Sequence, residues 1–218
     1  MKRICLVQLL IAFLVLGFMT SQAPAIGLGG YFTAGSGSGE WDAEDENDSE
    51  WDFETDDSGS GFGFVLDTAV AKDRVFNYRL NIGYERKDYE DETGATLEID
   101  NFVVVNDFGF GVVRTPKVRL WLGPELKITS GSGNIDTDKN EEFDIDLVNV
   151  GIGPVLGLNV HVGKLVTLGF KTGLLFESVY GRGEHETRDD TIEYSGSDSY
   201  FYFNFAIIFR INDVYKKK

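Results

Sequence analysis

Three sets of residues in this sequence carry side chains that could do chemistry. His185 stands between Glu184 and Glu186, with Ser195, Ser197 and Ser199 following, and His161 is the chain's other histidine. A base beside carboxylates with serines close by is the raw material of nucleophilic acyl transfer, which needs nucleophile, base and orienting acid in mutual reach. The chain has no His-x-Ser motif, and the expectation is an exposed loop histidine in a protein that is not an enzyme. The second set is carboxylate. Glu44, Asp45 and Asp48 lie in a run from 40 to 57 that holds eleven acids and no base, and Asp136, Asp138 and Asn140 have the spacing that opens a calcium loop. The sixth position of that loop is Glu141 rather than Gly and the twelfth is Leu147 rather than Glu, which excludes an EF-hand. These six residues are candidates for weak, diffuse binding of calcium or magnesium. Neither a specific metal site nor a cofactor is expected.

The third set is spread along the chain. Asp67, Arg79, Asp107, Arg119, Glu125, Lys171, Glu177 and Arg210 each sit in a segment of alternating polarity, always on the face opposite the large apolar residues. Acids and bases are matched in this set, and unpaired buried charge costs several kcal/mol per ion. The expectation is a structural ion-pair network rather than an ion path.

The elements that must position these residues read as strands. Segment 199–211 alternates Phe201, Phe203, Phe205, Ile207, Phe209 and Ile211 with Tyr202, Asn204, Ala206, Ile208 and Arg210, a period of two. Seven further segments repeat the pattern, near 26–35, 61–70, 76–85, 102–112, 118–128, 143–158 and 166–177. The apolar face carries no charge. The other face carries the ionisable residues and most of the strand glycines, among them Gly61, Gly83, Gly109, Gly157 and Gly169. Glycine has a steric reason to line the inside of a narrow barrel and none to face solvent. The pattern predicts an all-β, eight-stranded antiparallel up-and-down transmembrane barrel with lipid outside and a polar interior.

Links between segments alternate. Three are short, and four are long and acidic, which predicts short periplasmic turns and long acidic extracellular loops. Trp41-Asp42 and Trp51-Asp52 in the first loop are candidates to extend the first two strands beyond the bilayer. Three irregularities stand out. Asn106 interrupts an apolar face, Pro124 lacks an N–H to donate, and the apolar parity changes between Leu147 and Val148. Each predicts a β-bulge. Trp121 falls on the inward face, where it could plug the periplasmic end.

The chain has 218 residues and a formal charge of -16, with 36 acids against 20 bases. That acidity argues against nucleic acid. Lys2 and Arg3, an apolar run to Met19 and the small-x-small stretch Ala23-Pro24-Ala25 predict a signal peptide over 1–25. The remaining 26–218 would be one barrel domain ending in a short basic tail. Cys5 lies in the leader, so the mature chain would hold no thiol.

The opening Ile26-Gly-Leu-Gly-Gly-Tyr31, the stretches Leu122-Gly-Pro-Glu-Leu126 and Ile152-Gly-Pro-Val-Leu156, and the aromatic last strand resemble the small eight-stranded outer-membrane barrels of Gram-negative bacteria, the opacity-type and porin-like superfamily. The resemblance covers 26 to about 213. It implies residence in the outer membrane among lipid and lipopolysaccharide, insertion by the barrel-assembly machinery, and a monomer. The chain departs from the family in its last residues, where Asn212 to Lys218 follow the final aromatic strand. The leading functional expectation is a structural or surface-interactive barrel whose acidic loops bind divalent cations weakly. The alternatives are a narrow ion or small-solute channel, a lipid-modifying enzyme and a soluble ligand-binding barrel.

Overall fold

Period-two alternation continues far beyond the apolar segments, and in a computed structural model it becomes strand almost throughout. The structure describes residues 26–45, 49–68, 75–92, 94, 96–136, 142–185 and 191–211. The expected leader, 1–25, and the tail, 212–218, lie outside these residues. Eight strands follow one another: β1 (Gly27–Asp45), β2 (Glu50–Asp67), β3 (Phe76–Asp91), β4 (Thr96–Arg114), β5 (Val118–Asp136), β6 (Glu142–Val162), β7 (Val166–His185) and β8 (Thr191–Arg210). Each pairs antiparallel with the next, and β1 pairs with β8 from Gly27↔Arg210 to Asp45↔Ile192. The sheet closes into a barrel, which leaves no strand edge unpaired.

At the lower end β4 and β5 are joined through 115–117. There Thr115 N–H donates to the Val118 carbonyl at 2.9 Å, and Val118 N–H donates to Thr115 Oγ1 at 2.9 Å. The β6–β7 turn contains Gly163 at φ 67°, a left-handed conformation that side-chain-bearing residues adopt at a cost. At the upper end the segments expected as long loops are mostly strand. β1 and β2 stay paired from Gly27↔Asp67 to Glu44↔Glu50, so the acidic run lies on a hairpin rather than in a loop. Trp41 and Trp51 both fall within it.

The expected bulges are not at the expected places. The register runs unbroken through Asn106, paired with Leu80 and Leu126. It also runs unbroken through Leu147 and Val148, paired with Gly181 and Tyr180. Pro124 faces Pro154 across β5 and β6. Toward β4 the pairing passes from Asp107↔Glu125 to Phe110↔Leu122 without a change of register. The proline therefore leaves a gap in the ladder and adds no residue. The one register shift of that strand pair falls between Gly111 and Val113, next to the turn.

Candidate functional site

The parity change at Leu147/Val148 has a different cause. Below a boundary ring, outward side chains are almost all apolar, with Asn106 and Thr172 as exceptions, and the charged side chains lie inward among a minority of buried apolar ones such as Val65, Val103 and Ile208. Above it the relation inverts. The outward apolar runs end at Ala34, Phe62, Tyr84, Phe102, Ile128, Val148, Phe176 and Phe201, and Tyr180 on β7 is an outward aromatic above them. The next outward position on each strand is Ser36, Ser60, Arg86, Asp100, Ser130, Asp146, Ser178 and Ser199. Below the ring the outer wall is an apolar belt in which Phe64 is 80% exposed. Above it Trp41, Tyr89, Leu97, Ile99, Ile145, Leu147 and Val179 pack inside the barrel as an apolar cap. Ile145 and Leu147 thus point inward and Val148 outward along one regular strand.

Carboxylates rise on the outer face above the serines. Glu40 is opposite Glu54, Asp42 opposite Asp52, and Glu44 opposite both Glu50 and Glu193. Directly opposed like charges are destabilising. A hydrogen bond with the Asp52 carboxyl holds the Asp42 pKa above its ordinary value. Arg86, just above the belt on β3, donates to Asp100 at 3.0 Å and approaches Glu98 at 3.6 Å.

The interior below the cap is an ionic column. At its lower end Arg79 Nη2 donates to Asp67 at 2.8 Å and to Asn159 Oδ1 at 2.7 Å. Its guanidinium carbon lies 5.3 Å from the centroid of the Trp121 ring. Trp121 is fully buried, and a Cβ at Gly157 would collide with its indole. Arg119 donates to the Val75 carbonyl at 3.3 Å, and Arg210 to the Gly163 carbonyl at 2.6 Å. In the middle tier Lys171 Nζ bridges Asp107 at 2.9 Å and Glu125 at 2.7 Å, and the Tyr202 hydroxyl also donates to Glu125. In the upper tier Lys127 Nζ lies 2.7 Å from Glu85 and 3.2 Å from Glu177. Lys87 Nζ lies 2.7 Å from Glu177 and 3.0 Å from Asp57. The Tyr200 ring sits under both ammonium groups, 4.1 Å from Lys87 Nζ and 4.8 Å from Lys127 Nζ.

All eight residues singled out as an interior network face inward, and they divide between these tiers. Asp67, Arg79, Arg119 and Arg210 occupy the lower end. Asp107, Glu125 and Lys171 form the middle tier, and Glu177 belongs to the upper one. Sequence reasoning left Lys87 and Asp57 out because both lie beyond the apolar segments, in stretches read as loop. Strand parity carried past Tyr84 and Gly61 would have found them.

Column meets cap at Asp198. Trp41 Nε1 donates to Asp198 Oδ1 at 2.8 Å. Burial raises the Asp198 carboxyl to about 6 against the pull of that indole and of Lys87. Burial likewise raises Asp57, although Lys87 opposes it. For Lys87 burial would lower the ammonium, but Glu177, Tyr89 and Asp57 hold it well above its ordinary range.

The cation candidates are scattered. Glu44 is exposed on the outer face; Asp45 and Asp136 end β1 and β5; Asp48, Asp138 and Asn140 lie outside the described residues. Among the described residues no group of three or more His, Cys, Asp or Glu could hold a metal ion. His161 is hydrogen-bonded to Thr167 Oγ1 at 2.9 Å at the lower end. Ser195, Ser197 and Ser199 lie exposed on the outer face of β8, toward the other end. No helix of the described chain is long and apolar enough to cross a membrane, which says nothing about crossing by strands.

No protein-family model matches this chain, and no curated protein matches it. Among solved structures, the outer membrane protein OprG from Pseudomonas aeruginosa is similar over 87% of this chain and 97% of its own, with a TM-score of 0.65 and 9% identity. The outer membrane protease OmpT from Escherichia coli aligns over 87% of this chain and 98% of its own at 9% identity, with a TM-score of 0.44, too loose a likeness to carry an argument. The likeness to OprG is one of fold.

Proposed function

We propose that this chain is a non-enzymatic outer-membrane barrel with a sealed interior, and that its working surface is the outer face above the apolar belt. The observation that carries this reading is the inversion of faces at the boundary ring. A soluble barrel keeps its apolar residues inside along the whole strand. Here they are outside along one stretch of every strand and inside along the next on every strand but β5, where Thr129, Gly131 and Gly133 stand. The lower stretch is shortest on β2 and longest on β6, and averages about ten residues per strand, the length that a tilted strand needs to cross a bilayer. β6 has 21 residues, a height of roughly 50 Å at ordinary rise and tilt, well beyond a hydrocarbon layer of about 30 Å. The acidic half then stands in the headgroup and glycan zone. The likeness to a protein named as an outer membrane protein supports the placement.

Its partners there follow from chemistry. Serine hydroxyls just above the belt suit the sugar headgroups of lipopolysaccharide. The paired carboxylates above them repel its anionic groups unless divalent cations bridge the two. Hard oxygen ligands attract calcium and magnesium, here as a diffuse layer rather than a built site. Arrival through a cleaved leader at 1–25 and the barrel-assembly machinery belongs to the same reading. The tiers of ion pairs cross the axis at several levels and argue against a channel.

The test is electrophoretic migration of protein from washed outer membranes, unboiled and boiled, with and without calcium. A membrane-bound band that shifts on boiling, and whose shift moves to higher temperature with calcium, is the expected result. A soluble periplasmic protein would overturn the reading.

A further inference from the structure

The barrel axis is not filled everywhere. Between the middle and upper tiers lies a cavity of about 20 Å³. Glu125 and Lys171 border it on one side, Glu85 and Lys127 on the other. Val103, Val105 and Leu175 contribute apolar wall and no polar partner. Two amides also line it. Asn81 and Asn204 are 1% and 5% exposed, and the side-chain oxygen of each has no hydrogen-bond partner. The Asn81 amide is held in its orientation, because its Nδ2 donates to Asp107 Oδ2 at 3.3 Å. Flipping it would set oxygen against carboxylate oxygen.

Buried carbonyl oxygens are rarely left without a donor. The other polar side chains that line it supply none: Lys127 and Lys171 are each committed to two carboxylates, the Thr33, Tyr200 and Tyr202 hydroxyls donate to the Phe203 carbonyl, Glu85 and Glu125, and the Tyr31 hydroxyl donates to neither amide oxygen. We propose that this cavity is a hydration site that holds one water molecule, donating one O–H to Asn81 Oδ1 and the other to Asn204 Oδ1. The void exceeds the roughly 10–15 Å³ that a water requires, and two carbonyl acceptors are within the usual complement of a buried water. A monovalent cation would find the same oxygens, but two ammonium groups border the same small void and repel it. The water bridges the axis where side chains do not meet, and links the Asp107 side of the column to the β8 wall. This inference concerns the interior and stands whether or not the outer face binds what is proposed above.

The test is high-resolution crystallography of the folded protein, with a parallel crystal soaked in a thallium(I) salt. The expected result is one density peak within hydrogen-bond reach of both Asn81 Oδ1 and Asn204 Oδ1, with no anomalous signal from thallium. An empty void, or an anomalous peak in it, overturns the proposal. The variant Asn81→Leu with Asn204→Leu extends the test. Its heat-shifted band reports that the barrel still closes, and the peak is expected to vanish. A peak that persists in the folded variant means that the amides do not hold the water, which also overturns the proposal. Should that pair fail to fold, Asn204→Leu alone serves, with the same expected loss.

Discussion

Trp41 hands its indole N–H to Asp198 at 2.8 Å at the level where the ionic column gives way to the apolar cap. The contact joins two interiors of opposite character. It places a carboxylate where burial disfavours its charge, so that its folded pKa of about 6 stands above the usual aspartate value of about 3.9. The folded state therefore binds this proton more tightly than the unfolded chain does. Asp198 stabilises the fold as pH drops from about 6 toward 4, and that contribution is lost as pH rises through 6. Asp198→Asn keeps an oxygen for the indole and removes the charge. The variant is expected to gain about 2 kcal/mol at pH 7.5 and to flatten stability between pH 4 and 6, read from urea unfolding by tryptophan fluorescence. Equal pH slopes in variant and parent would contradict this.

Lys87 is shared by Glu177 and Asp57. Lys87→Met leaves two buried carboxylates with one base fewer, and is expected to cost about 3–5 kcal/mol. Adding Glu177→Gln and Asp57→Asn to the same chain should recover most of that loss, since replacing a whole buried ionic group is often neutral. If the triple variant is no more stable than the single one, the tier does not act as a unit.

Gly157 lies under the Trp121 indole, where any Cβ would collide. Gly157→Ala is expected to destabilise by about 1–3 kcal/mol through overpacking. Combined with Trp121→Leu, the two losses should fall short of their sum, because the smaller side chain leaves room for the methyl. Additive losses would mean that the glycine is not there to admit the indole.

The outer carboxylates predict the opposite sign. Asp52→Asn with Glu54→Gln removes charges opposed to Asp42 and Glu40, and should raise the unfolding temperature of the calcium-free barrel slightly. The same variant should show a smaller rise in unfolding temperature on adding calcium than its parent does. An undiminished calcium response would put the cation layer elsewhere.

Much of the barrel was legible from period two alone, because one uninterrupted alternation fixes which side chains share a face. Phe201 to Ile211 and Val166 to Phe176 read directly as strands with an apolar face and a polar one. Period two fails at Leu147/Val148, where a change in apolar parity predicts an inserted residue and the strand runs on without one. Parity cannot tell an extra residue from a strand that passes between two environments. Lys87 and Asp57 stayed hidden for a related reason: repulsive acidic stretches read as loops, whereas their outward carboxylates meet water and their inward partners supply the packing. The unmet oxygens of Asn81 and Asn204 had no sequence signal at all, since they depend on which side chains fail to meet across the axis.

The central claim is that the belt faces lipid and the acidic half faces water. Spin labels on single cysteines test it most directly, with Phe203→Cys in the belt and Glu54→Cys above it, in proteoliposomes and with the leader's Cys5 absent. The account predicts that the label at 203 is reached by oxygen and shielded from an aqueous nickel chelate, and that the label at 54 behaves the other way round. A label at 203 as open to nickel as the one at 54 would contradict it.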